Sequence, residues 1–242
     1  MKMNKIAGIV TAAWILAAST QADVITNYYD DFSGTGALNN TTPDTGTGLW
    51  SAHAKFGADG STYTDASANG SALLAFIPEA GKVYTLSVDV SSLAGGGAND
   101  WVGVGFATSD MGIGHGLNQD GKGVAAVQLR QSNSAFSLYG STTVVEHKNY
   151  GTIATLKLVL TTHADSTPWT VDYFADTTSL GSYTWAAAGD PGITQVAMTA
   201  AGRTLTANVD DFTMTVVPEP ATISMLGLGA LITLAIRRKL RA

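Results

Sequence analysis

The chain of 242 residues contains no cysteine. Disulfide frameworks and thiolate metal sites are therefore excluded, and stability has to come from a core of ordinary size. Basic residues are also scarce, 13 against 19 acidic ones. Six of the 13, Lys2, Lys5, Arg237, Arg238, Lys239 and Arg241, lie at the two ends, which leaves the body between them with seven and a net charge of about −12. A body of that charge repels phosphate backbones, so nucleic acid is not an expected partner. The four histidines, His53, His115, His147 and His163, form no His-Glu-x-x-His motif and no pair at helical spacing. Gly-x-Ser-x-Gly is absent too, so neither a zinc hydrolase nor a nucleophile elbow has support.

What the body does have is alternation. From Lys82 to Val90 the residues Val83, Thr85, Ser87 and Asp89 alternate with Tyr84, Leu86, Val88 and Val90, the period-two pattern of a half-buried strand. Further strands are expected at 72–77, 101–107, 124–130, 135–139, 154–161, 169–175, 194–199 and 209–217. Turn residues separate them, as in Gly95-Gly96-Gly97 and Gly189-Asp190-Pro191-Gly192, and no helix of more than two turns is expected between the ends. Many short strands at such spacing predict an all-β, antiparallel two-sheet sandwich. The polar, Thr-rich stretch from Gly34 to Gly48 has no apolar period and reads as a surface loop. Asp30-Asp31-Phe32 is echoed by Asp210-Asp211-Phe212. The echo suggests that the first and last strands are neighbours, with Phe32 and Phe212 both pointing inward.

The ends differ from the body. Lys2 and Lys5 precede an apolar run from Ile6 to Ala18 and a small, polar Ser19-Thr20-Gln21-Ala22. That is the layout of a secretory signal peptide, expected over 1–22 and cut before Asp23. The mature domain then spans 23–217, a length suited to one domain. At the other end, Pro218-Glu219-Pro220 precedes 16 residues without a polar stripe, Ala221 to Ile236, and then Arg237-Arg238-Lys239-Leu240-Arg241. As a helix that run would span about 24 Å, short of the roughly 30 Å hydrocarbon core. It is a marginal membrane helix, with its basic end expected on the cytoplasmic side.

That order of turn, apolar span and basic stop resembles the PEP-CTERM sorting signal of Gram-negative bacteria. The resemblance implies delivery by the Sec machinery, a transient hold in the inner membrane, and recognition of Pro218, Glu219 and Pro220 by an exosortase that cleaves nearby. Arg237, Arg238 and Lys239 would form the basic stop of the 218–242 tail. The product would then reside at the cell surface or outside the cell.

The body resembles a second family. Tyr29-Asp30-Asp31-Phe32 with Leu38-Asn39, Thr41-Thr42-Pro43, Gly46 and Trp50, the strand 80–88, Leu156-Lys157-Leu158-Val159-Leu160 and Trp169-Thr170-Val171-Asp172-Tyr173 are similar to the concanavalin A-like lectins and glucanases. The resemblance implies a jelly roll, flanked here by a signal helix and a C-terminal hydrophobic helix. Retaining glucanases of that family carry two glutamates around an aspartate at alternate positions of one strand. Glu79, Glu146 and Glu219 have no such spacing, so that activity is not expected. A secreted glycan-active hydrolase using a nonstandard carboxylate pair remains the alternative to a noncatalytic protein that binds carbohydrate or is structural.

Two candidate sites follow. Asn99-Asp100-Trp101, after the triple glycine, combines an aromatic face with amide and carboxylate groups, the ingredients of a polysaccharide site; Trp50, Trp169 and Trp185 are alternatives. Asp30, Asp31, Asp210 and Asp211, if the terminal strands pair, would gather four carboxylates and call for a cation, with Ca2+ the metal that favours such oxygens. Asn118 and Asp120 beside Gly121 are a lesser choice for the same ion.

Overall fold

The computed structural model describes residues 24–63, 69–95, 100–118, 122–130, 136–140, 143–147, 154–203 and 205–218. Within them the strands are β1 (Ile25–Asp30), β2 (Ser51–Ala52), β3 (Asn69–Ala75), β4 (Lys82–Gly95), β5 (Trp101–Ala107), β6 (Gly123–Arg130) and β7 (Phe136–Gly140). They continue with β8 (Thr143–His147), β9 (Ala154–Thr161), β10 (Pro168–Ala175), β11 (Thr178–Ala188), β12 (Gln195–Ala201) and β13 (Leu205–Pro218). Residues Val24–Val217 form one compact unit. One sheet has the order β1-β13-β4-β9-β10-β11, the other β2-β3-β12-β5-β6-β7-β8. The all-β, two-sheet architecture is the expected one. The signal helix and the hydrophobic C-terminal helix fall on residues outside those described, and among the described residues no helix is long and apolar enough to cross a membrane.

The alternation at 82–90 becomes packing directly. Tyr84, Leu86, Val88 and Val90 turn inward on β4, beside Leu156, Leu158 and Leu160 of β9 and Trp169, Val171 and Tyr173 of β10. From the other sheet they meet Val102, Val104 and Phe106 of β5 and Val196 and Met198 of β12. Each fully buried Leu, Val or Phe contributes about 1.5–3 kcal/mol relative to exposure. Tyr84 also fixes the turn before its own strand, since its hydroxyl accepts the Glu79 N–H at 2.7 Å while its ring meets Phe76 edge-on.

Three strands, β2, β8 and β11, were not among those expected, and β1 was expected only as the first strand beside the last. β1 and β11 are the two edges of the six-stranded sheet, and β11 reads Thr-Ser-Leu-Gly-Ser-Tyr-Thr-Trp-Ala-Ala-Ala with mostly exposed residues. Such an edge is held by backbone pairing to β10 and two bulges, and leaves little hydrophobic period to read. The terminal strands do pair: β1 runs antiparallel to β13, with Ile25 opposite Val216 and Asp30 opposite Phe212. Phe32 and Phe212 both point into the core, and both touch Trp50. The 34–48 stretch is a loop, mainly exposed, pinned by buried Leu38 and Pro43.

The two sheets differ on their outer sides. β9 and β10 alternate buried and half-buried residues, whereas β5 is buried at all positions and β3, β6 and β12 at nearly all. The cover is the β5–β6 connection. It crosses the outer face so that Met111 and Leu117 pack on Leu73, Ala107, Ala126 and Ala197. At the far side it is tied to β3: the Ser71 N–H donates to the Ile113 carbonyl at 2.8 Å and the Ser71 hydroxyl to the His115 carbonyl at 2.5 Å.

Candidate functional site

The end of β1 forms an acidic corner. Asp30 is buried, and its two carboxylate oxygens accept the Phe32 N–H at 2.9 Å and the Trp50 Nε1–H at 2.7 Å. Burial pushes its pKa up, while those two hydrogen bonds pull the other way. Asp31 accepts the Ser33 N–H at 2.9 Å, and its own N–H donates to Asp44 at 3.0 Å. The bonds from Ser33 hold the Asp31 carboxyl below its ordinary value. Ligand oxygens of Asp30, Asp31 and Asp44 lie within 4.8 Å of one another, and among the described residues no ion pair neutralises them.

The composition of this cluster differs from the expected one. Asp210 and Asp211 are not part of it. Asp210 accepts the Asp211 N–H at 2.9 Å, and Asp211 accepts the Tyr29 hydroxyl at 2.8 Å, which raises the Tyr29 pKa to about 12. Phe32 and Asp211 both have φ 49°, a left-handed conformation that costs a non-glycine residue about 1–2 kcal/mol. Asp210 and Asp211 stay outside the set whose ligand oxygens lie within 4.8 Å, although both act with Asp31 to raise the Tyr29 pKa. Asp44, just after Pro43 in the loop, comes in instead. Its only sequence signal was its place in a Thr-Pro-Asp turn. Three carboxylates supply three of the six to eight oxygens that calcium takes, so Asp30, Asp31 and Asp44 suit a hard cation without completing its shell.

The second candidate is corrected by its burial. Trp101 is 3% exposed, at the outer face of β5 opposite Ala201 and Arg130. A Cβ on Gly116 would lie 2.9 Å from its ring, so the connection that covers this sheet also covers the indole. The Asp100 carboxylate lies against Gly202, whose φ of +120° leaves no room there for a side chain. Buried Lys55 donates to the Gly202 carbonyl at 2.9 Å. Half-buried Asp100 thus lies beside a glycine that a buried lysine, far away in sequence and without a signal of its own, also engages. Asn99 lies outside the described residues. Trp50, Trp169 and Trp185 are buried as well, so none of the four described tryptophans offers a face for sugar stacking. Of the lesser cation choice, Asn118 is exposed and Asp120 and Gly121 lie outside the described residues.

One polar feature was not anticipated. Ser71, Thr199, Gly103 and Gln128 share a row across β3, β12, β5 and β6 on the covered face. Ser71, Thr199 and Gln128 are 0% exposed. Gln128 lies over Gly103, where a Cβ would meet its Cγ at 2.7 Å. Neither amide atom of Gln128 has a hydrogen-bond partner among the described residues. The outward positions of these four strands carry no aspartate or glutamate.

Of the sorting motif, Pro218 is the last residue of β13; Glu219, Pro220, Arg237, Arg238 and Lys239 lie outside the described residues. Residues 216–239 match the PEP-CTERM protein-sorting motif. No curated protein matches the chain. Among solved structures, it is similar to an endo-1,3-beta-glucanase from Streptomyces sioyaensis at 12% identity and a TM-score of 0.49, over 80% of this chain and 96% of that one. It is similar to the lectin UEA-II complexed with galactose at 11% identity and a TM-score of 0.40, over 82% and 100%. The exoplasmic/lumenal domain of VIP36 in a metal-free form follows at 9% identity and a TM-score of 0.47, over 83% and 97%.

Proposed function

We propose that this chain is an exported, exosortase-sorted, noncatalytic β-sandwich that acts at the cell envelope or in extracellular polymer, by binding carbohydrate or as a structural component. The observation that carries the reading is the sorting motif at 216–239, which starts inside the last strand of the folded body. The chain is the substrate of the sorting enzyme. Prolines at 218 and 220 prevent helical continuation across the motif and keep it extended for a protease. In support of a noncatalytic body, Glu79, Glu146 and Glu219 lack the alternate spacing on one strand that carries a retaining glucanase's acids. With the tryptophans buried, carbohydrate would be taken by hydrogen bonding rather than by indole stacking. The outer face of the six-stranded sheet is the open surface for this, with Thr85, Ser87, Asp89, Lys157 and Asp172 half-buried along it.

The test is expression of the full chain with its exosortase, compared with a chain in which Pro218, Glu219 and Pro220 are alanine. Processing and release of the first, with the second retained in the membrane, is the expected result; release of both would sink the sorting reading. The released body is then offered a glycan panel with and without chelator. Binding or inertness without turnover fits the proposal, reducing sugar appearing with time contradicts it, and binding lost in chelator shows that it needs a cation.

A further inference from the structure

We infer that the end of the sandwich from which the sorting tail departs is a lipid-docking surface, seated on the membrane while the tail is attached. This rests on the sorting reading above and specifies what the folded body does during it. The topology brings three segments to that end. Ile25 pairs with Val216, so the start of β1 lies beside the end of β13. β13 also neighbours β4, and the contacts of Ser91 with Asn208 and of Thr206 with Ala94 set the two antiparallel. Both strands have 14 residues, so Lys82 at the start of β4 falls beside Val217 and Pro218. The turn before β4 carries Ile77, held close to β1 through the hydrogen bond from the Tyr28 hydroxyl to the Ala75 carbonyl at 2.6 Å.

Val24, Ile25 and Ile77 are 65%, 57% and 74% exposed, the three most exposed large apolar residues among those described. A single exposed aliphatic residue is ordinary on any protein surface. Three at the end where an apolar tail leaves are not scattered. Beside Ile77, the opposite charges of Glu79 and Lys82 pair at 3.9 Å, although the body as a whole is acidic.

Chain length fixes the occupant. Ala221, where the apolar run begins, is four residues beyond Val217, at most about 14 Å of fully extended backbone. The headgroup layer on one side of a bilayer is about 6 Å thick. With Ala221 at the hydrocarbon boundary, the end of β13 cannot stand clear of the headgroups by more than about one side chain. The tether holds Val24, Ile25 and Ile77 at the interface at high local concentration, where weak apolar insertion suffices. When the tail is cut, that concentration is lost and the acidic body leaves.

The absence of cysteine makes the test clean. Full-length chain with Glu79→Cys, or with Thr206→Cys about 40 Å away at the other end of β13, is labelled with a polarity-sensitive fluorophore and reconstituted into phosphatidylethanolamine–phosphatidylglycerol vesicles containing spin-labelled lipid. The expected result is quenching at 79 and none at 206. Replacing Val24, Ile25 and Ile77 by serine should abolish quenching at 79 while the protein still floats with the vesicles. Quenching at 79 that survives the serine substitutions would reduce the effect to a short tether and overturn the docking. So would flotation without quenching, or quenching that requires added exosortase. Failure of the full chain to float would instead remove the membrane reading of the tail, and the proposal with it.

Discussion

On β9 the residues that turn away from the core, Thr155, Lys157, Val159 and Thr161, are half-buried, and so are Thr170, Asp172 and Phe174 on β10; on β5 the corresponding residues, Trp101, Gly103, Gly105 and Ala107, are buried. The inner faces of the two sheets do the same work. Outside, one sheet meets solvent and the other meets its own β5–β6 connection. The residue types follow from that difference: lysine and aspartate join threonine where water is the neighbour, whereas mainly small and uncharged residues stand where a second layer has to fit. Covering an outer face therefore removes the alternation of a strand as well as its solvent. A surface that could have taken an extended ligand has become interior.

Equal truncations on the two faces should cost unequal amounts. Leu117→Ala removes a side chain of the connection that is 2% exposed against the sheet, and its expected cost is about 2–5 kcal/mol in urea denaturation. Val159→Ala on the open face should cost under about 1 kcal/mol. Similar losses at both sites would mean that the connection lies loosely on the sheet. Gln128→Leu reverses the sign. With both amide atoms buried and unpartnered among the described residues, an apolar replacement is expected to stabilise by about 1–3 kcal/mol. A clear loss of stability there would reveal a hydrogen-bonded role for Gln128 under the cover. Smallest is Lys157→Ala on the open face. It removes an ammonium 4.7 Å from the centre of the Phe174 ring, for a loss of about 0.5–1 kcal/mol by the same denaturation.

Where solvent touches one side of a strand, its sequence is legible. β4, β9 and β10 could be placed within a few residues of their ends because their inward and outward positions obey different rules. β5 was also placed, but its seven buried residues gave no sign of which face looked inward. The edge strand β11 escaped, since its stability lies in pairing to β10. The site shows the same division. The echo of Asp-Asp-Phe did foretell paired terminal strands and two inward phenylalanines. It did not foretell that Asp210 and Asp211 would stay outside the cluster of Asp30 and Asp31, or that Asp44 would be drawn in from a loop. Trp101 was misjudged for a related reason. A tryptophan after a run of glycines looks available until something distant, here Gly116, is folded onto it.

By itself the sequence determined the sandwich, the pairing of its ends and the sorting motif at 216–239, because each is written in local order: period two, a repeated tripeptide, and a turn followed by an apolar run. Tertiary structure alone decided which outer face is closed, which carboxylates meet, and which exposed aliphatic residues gather where the tail leaves. Those outcomes depend on contacts between residues tens of positions apart, and no short window of sequence holds both partners.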